Sequence, residues 1–334
     1  MRQRKEREMK NKTFTVLVLL LLVATAALSQ EIKTDTSRLE AAALQKETGK
    51  FIAGLGKDDF LLYERGRRMD IVACSEIEAP LSLVLLIDVS GSMKDIMKPT
   101  IEAALVLVKS LKPEDEVAII AFAKSAELVE DFTLDKQIIE DRIKKIDEAV
   151  KLERIGTQLD DAMLQAVTQL GKATVSNSRR VVIAITDNFA PRYPDRPRKE
   201  ALGELSRSGG IVCGLVTPRT LDGRYYNPPL KEIAERMHAD PSSRPLTYGT
   251  RREPDGSLEI YTKATGGFAF DLKGEQIEAK IVALVDVVRK YYLIEYKSPG
   301  RVVNVREIKL KMLKEAEKRE GAAKLIVQQK AQSQ

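Results

Sequence analysis

The chain has 334 residues, with 55 Lys plus Arg against 49 Asp plus Glu and a formal net charge of +6. Six basic and two acidic residues fall within 1–29, so the rest carries 49 against 47, a net +2, without the dense basic face that phosphate binding needs. One histidine, His238, and two cysteines, Cys74 and Cys213, exclude a two-His metal site, a thiolate zinc cage and a disulfide framework. A single Cys74–Cys213 bridge stays arithmetically open, and two buried thiols acting as small hydrophobes are the simpler reading.

Residues 1–29 are expected to be a targeting segment. A basic stretch ending at Lys12 precedes an apolar run, Phe14–Val23, and then small residues ending Ala27-Leu28-Ser29. This is the layout of a secretory signal, with cleavage expected before Gln30. The alternative is an uncleaved anchor, but the apolar core is roughly 16 residues, short of the about 20 that span a bilayer. No later segment is apolar enough to cross, so the mature chain is expected to be exported, periplasmic or extracellular, and off the membrane once the signal is cleaved.

Residues 30–79 read as a loose polar lead-in followed by three short strands, at Phe51–Leu55, Phe60–Glu64 and Met69–Val72, with Gly66 in the last turn. So small a unit needs packing from elsewhere in the chain. From Leu81 the pattern changes. Nearly continuous apolar runs at Leu81–Ile87, Val117–Phe122, Val181–Ile185 and Ile211–Val216 fit strands buried on both faces. Between them, Ile101, Ala104, Leu105, Val108 and Leu111 repeat at helical spacing, as do Leu159, Ala162, Met163, Ala166, Val167 and Leu170. Ile277, Ile281, Leu284, Val285 and Val288 form a third such face.

Buried strands alternating with helices predict an α/β domain over 80–290, a doubly wound, mostly parallel, Rossmann-like sheet. Residues 217–262, with six prolines, read as a surface insertion holding one short helix near Lys231–Met237. Residues 291–334 are expected to add strands at Tyr291–Tyr296 and Val302–Leu310, which pair with the N-terminal strands into a small β unit. A charged tail from Lys314 follows, read as a solvated helix or disordered.

Ligands of open α/β sheets gather at the carboxyl ends of the strands. Strand 81–87 runs into Asp88-Val89-Ser90-Gly91-Ser92, strand 181–185 into Thr186-Asp187-Asn188, and Thr157 precedes the second helix. Asp88, Ser90, Ser92, Thr157 and Asp187 are all hard oxygen donors, suited to Mg²⁺, Mn²⁺ or Ca²⁺ and not to zinc or copper.

These five positions, in this order, resemble the metal-ion-dependent adhesion site (MIDAS) of von Willebrand factor A domains. The resemblance implies that Ser90, Ser92 and Thr157 bring hydroxyls to the metal, Mg²⁺ first among candidates, while Asp88 and Asp187 hold it mainly through water. It further implies a partner protein whose Glu or Asp completes the coordination, and no nucleic acid. The flanks, Gly54-Leu55-x-x-Asp58-Asp59-Phe60-x-x-Tyr63-Glu64-x-Gly66, Thr265-Gly266-Gly267-x-Ala269-Phe270 and Arg289-x-Tyr291-x-Leu293-x-x-Tyr296, are similar to secreted VWFA-related proteins of Acidobacteria. Two positions depart from the pattern: Ile155-Gly156-Thr157 stands where the family often has Gly-Gly-Thr, and Asp187-Asn188 where it often has Asp-Gly. Both keep the donor.

Each residue has a plainer reading. Thr157 with Asp160 could cap a helix, and the serines and Asp187 could close turns. An enzyme is the main rival in class, yet an aspartyl phosphatase needs a second Asp where Ser90 stands, and no G-x-S-x-G elbow or phosphate-cradling loop precedes a helix. A Cys213–His238 dyad would start from a mid-strand thiol. A structural subunit with a vestigial metal site is the other alternative. Arg192, Arg196, Arg198 and Lys199 form a basic cluster near Asp187, either solvated surface or steering for an acidic partner. Arg219, Arg224, Tyr225, Tyr226, Arg251 and Arg252 are interface-like in type.

Overall fold

The computed structural model describes residues 35–46, 48–154, 156–188, 196–217, 257–272, 277–298, 308–321 and 323–328. The targeting segment 1–29, the expected helix at Lys231–Met237, His238, Arg192 and the interface-like Arg and Tyr residues of the insertion lie outside them.

The chain begins with β1 (Asp35–Gln45), β2 (Phe60–Glu64), β3 (Arg67–Met69) and β4 (Ile71–Glu78). The central domain then runs through β5 (Leu81–Asp88), α1 (Met97–Lys109), β6 (Glu116–Phe122), β7 (Ala126–Thr133), α2 (Lys136–Lys144), the single turn α3 (Ile146–Ala149), α4 (Leu159–Leu170) and β8 (Arg179–Thr186). It continues with α5 (Arg196–Ser208), β9 (Ile211–Val216), α6 (Ser257–Thr265), β10 (Ala269–Asp271) and α7 (Ile277–Arg289). Last come β11 (Lys290–Ser298), β12 (Ile308–Met312), α8 (Lys314–Glu320) and β13 (Ala323–Gln328).

The central sheet has the order β10-β9-β8-β5-β6-β7, parallel except where β7 joins β6. All eight residues of β5 are buried, because helices cover both faces. Leu81, Leu83, Leu85 and Ile87 face α1, α2 and α7 through Leu107, Val108, Ile139, Ile143, Leu284 and Val288. Val84 and Leu86 face α4, α5 and α6 through Ala162, Met163, Ala166, Ala201, Leu205 and Tyr261. From β5 the chain moves to β6 and β7 on one side, then returns to β8 and β9 on the other. The order of strands therefore reverses between β5 and β8, the place where open α/β sheets form a ligand crevice.

The remaining strands form two antiparallel sheets, β13-β1-β11-β4 and β12-β2-β3. The lead-in is not loose: Asp35–Gln45 is a strand between β11 and β13. Ala42 and Leu44 on one of its faces join the core of the central domain, while Leu39, Ala41 and Ala43 on the other join the core shared with β2 and β12. The Ala-rich segment has helical propensity, and burial on both faces overrides it. Phe51–Leu55 contributes one bridge, Leu44 to Phe51, and no strand. The tail adds β13 after its short helix, so the last strand of the chain closes the four-stranded sheet. The end of the expected insertion is also part of the domain: α6 begins at Ser257 and buries Leu258 and Tyr261 against the sheet.

This β unit is fixed to the amino-terminal ends of the central strands. Arg289, at the end of α7, pairs with Asp115, and both are buried. Asp115 Oδ1 accepts from Arg289 Nη1 at 2.9 Å and from the Leu81 amide at 2.8 Å. Arg179, at the start of β8, donates to the Val288 carbonyl at 2.8 Å, pairs with Glu40 of β1 at 3.3 Å and stacks over the Tyr291 ring. Both cysteines are free; Cys213 is buried in β9 and Cys74 is half-buried in β4.

Candidate metal centre

Asp88 is the last residue of β5 and Asp187 follows β8, so the two carboxylates flank the reversal in strand order. Both are fully buried, as is Asn188. The turn after β5 is shaped by Asp88 itself, whose Oδ1 accepts the Ser90 amide at 2.9 Å. The Val89 amide donates to the Phe122 carbonyl at 2.8 Å, and a 3₁₀ turn, Gly91–Ile96, begins as the Met93 amide donates to Ser90 O. This brings the Ser90 and Ser92 hydroxyls to 3.2 Å of each other. Across the crevice, Thr186 Oγ1 donates to Asp88 Oδ2 at 2.6 Å, joining the ends of β8 and β5.

Thr157 comes from the loop between α3 and α4. That loop is sewn to the same edge by three backbone bonds: Gly91 N to Arg154 O at 2.8 Å, Lys124 N to Glu153 O at 3.2 Å, and Gln158 N to Ala123 O at 2.7 Å. Gly156 has φ +103, a left-handed conformation that glycine adopts without strain. Thr157 is buried and does not cap α4: the N-cap position is Gln158, with no side-chain cap bond. Asp160 is also not part of a cap. It accepts from Arg198 Nε at 2.9 Å and from Tyr261 Oη at 2.8 Å, tying α4 to α5 and α6. Arg198 thus points into the domain, which removes it from the basic cluster expected to meet a partner, whereas Lys199 is exposed.

The five expected donors therefore sit at one sheet edge, with Asp88 bonded to the Ser90 amide, the Ser90 and Ser92 hydroxyls in contact, and the Thr157 loop bonded to the serine turn. Burial, and then the Asp187 carboxylate, raise the Asp88 pKa to about 7, while bonds from Ser90 and Thr186 oppose that rise. A buried carboxylate whose charged form is opposed by a neighbouring carboxylate is a place where a divalent cation relieves repulsion. The donors fit such an ion: all are hard oxygens, and three of the five are neutral hydroxyls. Among the described residues no group of three or more His, Cys, Asp or Glu side chains is placed to hold a metal ion.

Sequence reasoning missed what Asn188 does. Its φ of +54 lies in the left-handed region, where Asn is tolerated better than most side chains. Its Nδ2 donates to both carboxylate oxygens of Glu259, at 3.1 and 2.9 Å, and its Oδ1 accepts the Leu258 amide at 3.1 Å. The departure from Asp-Gly was visible as a signal. Its partner, on α6, was not.

Residues 83–189 match the family model of the von Willebrand factor type A domain. The mixed α/β fold with its mostly parallel sheet agrees with that match. Among solved structures, the chain is similar to the protein BatB from Bacteroides thetaiotaomicron, at 17% identity and a TM-score of 0.46, covering 61% of this chain and 95% of that one. It is similar to an aerotolerance-related membrane protein from Bacteroides fragilis NCTC 9343, at 18% identity and a TM-score of 0.46, covering 62% and 98%. Manganese-loaded TRAP protein of Plasmodium vivax is also similar, at 15% identity and a TM-score of 0.40, covering 72% and 82%. No curated protein matches the chain. Among the described residues no helix is long and apolar enough to cross a membrane.

Proposed function

We propose that this is a non-enzymatic, exported interaction module. It captures a Glu or Asp side chain of a partner protein through a divalent cation, Mg²⁺ in the first instance, held by Asp88, Ser90, Ser92, Thr157 and Asp187. The observation that carries this reading is the pairing of two buried carboxylates across the strand-order reversal, next to serine and threonine hydroxyls on bonded loops.

The residues have separable parts in it. Asp88 and Asp187 supply the negative charge that draws the ion in, and Ser90, Ser92 and Thr157 supply neutral oxygens. When bound, the ion would offer a Lewis-acidic position to an incoming carboxylate, because neutral donors leave much of its charge uncompensated. The Gly91–Arg154 and Gln158–Ala123 bonds hold the loops so that little conformational freedom is lost on binding. Cys213 is sealed in β9, where burial pushes its thiol up to about 12, so it offers no accessible thiolate.

The test uses Mn²⁺, whose bound waters enhance proton relaxation. Adding glutarate to the Mn²⁺-loaded protein is expected to lower that enhancement as a carboxylate displaces water. An enhancement that glutarate leaves unchanged contradicts an open position for acidic groups.

A further inference from the structure

We propose that Glu259 is a positioning residue of the metal centre, acting through Asn188 to hold the turn that presents Asp187; this rests on the metal reading above. The turn needs holding. Asn188 sits at φ +54, a conformation disfavoured for residues with a side chain, and it is fully buried, so its amide must find partners inside the protein. All of them are supplied by α6: the Glu259 carboxylate accepts from Nδ2, and the Leu258 amide donates to Oδ1. The bonds then continue toward the metal. The Asn188 backbone amide donates to Thr186 Oγ1 at 3.0 Å, and that hydroxyl donates to Asp88 Oδ2 at 2.6 Å. Bonds thus link Glu259, Asn188, Thr186 and Asp88, with Asn188 donating both to Glu259 and to Thr186, and Asp187 lies in sequence between two of these members.

The helix that bears Glu259 is itself well anchored. Tyr261 donates to Asp160 of α4, Arg198 of α5 donates to the same carboxylate, and Leu258 and Tyr261 are buried in the core. Glu259 is therefore a fixed strut. Its removal leaves the Asn188 amide buried without its acceptor, and the turn is free to relax toward backbone angles that turn the Asp187 carboxylate away.

The full chain is titrated with Mn²⁺ alone, counting free ion by electron paramagnetic resonance. Glu259→Ala and Asn188→Ala are each expected to weaken binding 5- to 20-fold, and the double variant to be no weaker than the worse single one, since both break the same bonds. Glu259→Gln keeps an acceptor for Asn188 without the charge and is expected to stay within twofold of the parent. Lys263→Gly, an exposed change on the same helix, is expected to lower the melting temperature and leave Mn²⁺ affinity unchanged. The inference is overturned if Glu259→Ala binds like the parent, if Glu259→Gln is as weak as Glu259→Ala, or if Lys263→Gly weakens binding equally. A parent chain that binds no Mn²⁺ overturns the metal reading and this inference together, whereas a parent that binds alongside unaffected variants overturns this inference alone.

Discussion

A carboxylate sealed from water beside a second carboxylate favours its protonated form, and Asp88 is so placed, with a pKa raised to about 7. Two expectations follow from the sign of that shift. Metal competes with the proton, so Mg²⁺ affinity should rise roughly tenfold per pH unit below 7 and level off above it, as calorimetry at pH 6, 7 and 8 would show. In the unfolded chain Asp titrates near about 3.9, so this group favours the folded state below that pH, and its contribution is lost as pH rises through about 7. Without divalent ion, Asp88→Asn should therefore melt higher than the parent at pH 8, with a smaller difference at pH 5; a variant that melts lower at both would refute the repulsion. The turns that carry Asp88, Ser90, Ser92 and Asp187 were legible in the sequence because each follows the end of an apolar run, and the loop of Thr157 because it precedes a helical repeat. Asn188–Glu259 and Asp160–Arg198 were not, since each joins residues on elements distant in sequence.

At the scale of elements, strands buried on both faces announce themselves by continuous apolar runs, and β5, β6, β8 and β9 were readable for that reason. The edge strand β7 alternates polar and half-buried residues and was missed, as were α2 and α5, whose exposed faces are heavily charged. The strands β1 and β13 were misread because partners far along the chain, and not local preference, make them strands. If β13 is an integral strand, Ile326→Ala should cost about 2–3 kcal/mol in urea unfolding, the usual range for a buried aliphatic truncation. A change under a few tenths would argue that β13 is peripheral. The Arg289–Asp115 pair is more exacting. Arg289→Ala leaves a buried carboxylate unpaired and should cost about 3–5 kcal/mol.

The whole molecule places its two kinds of interaction at opposite edges of one sheet. The β unit is locked to the amino-terminal ends of the central strands by Arg179, Arg289 and Asp115. The carboxylates and hydroxyls collect at the carboxyl ends of those strands. On the function proposed above, that edge is where a partner's carboxylate would arrive, while the other end of the domain is fixed to the β unit. The most direct test of that reading is calorimetric titration of Mg²⁺ and Mn²⁺ into the protein, beside the Asp88→Ala/Ser90→Ala double variant. Binding near one ion per chain, lost in the double variant while its fold is retained, is the expected result. Binding that the double variant keeps unchanged, or none in the parent at pH 8, would contradict a metal centre at the strand-order reversal.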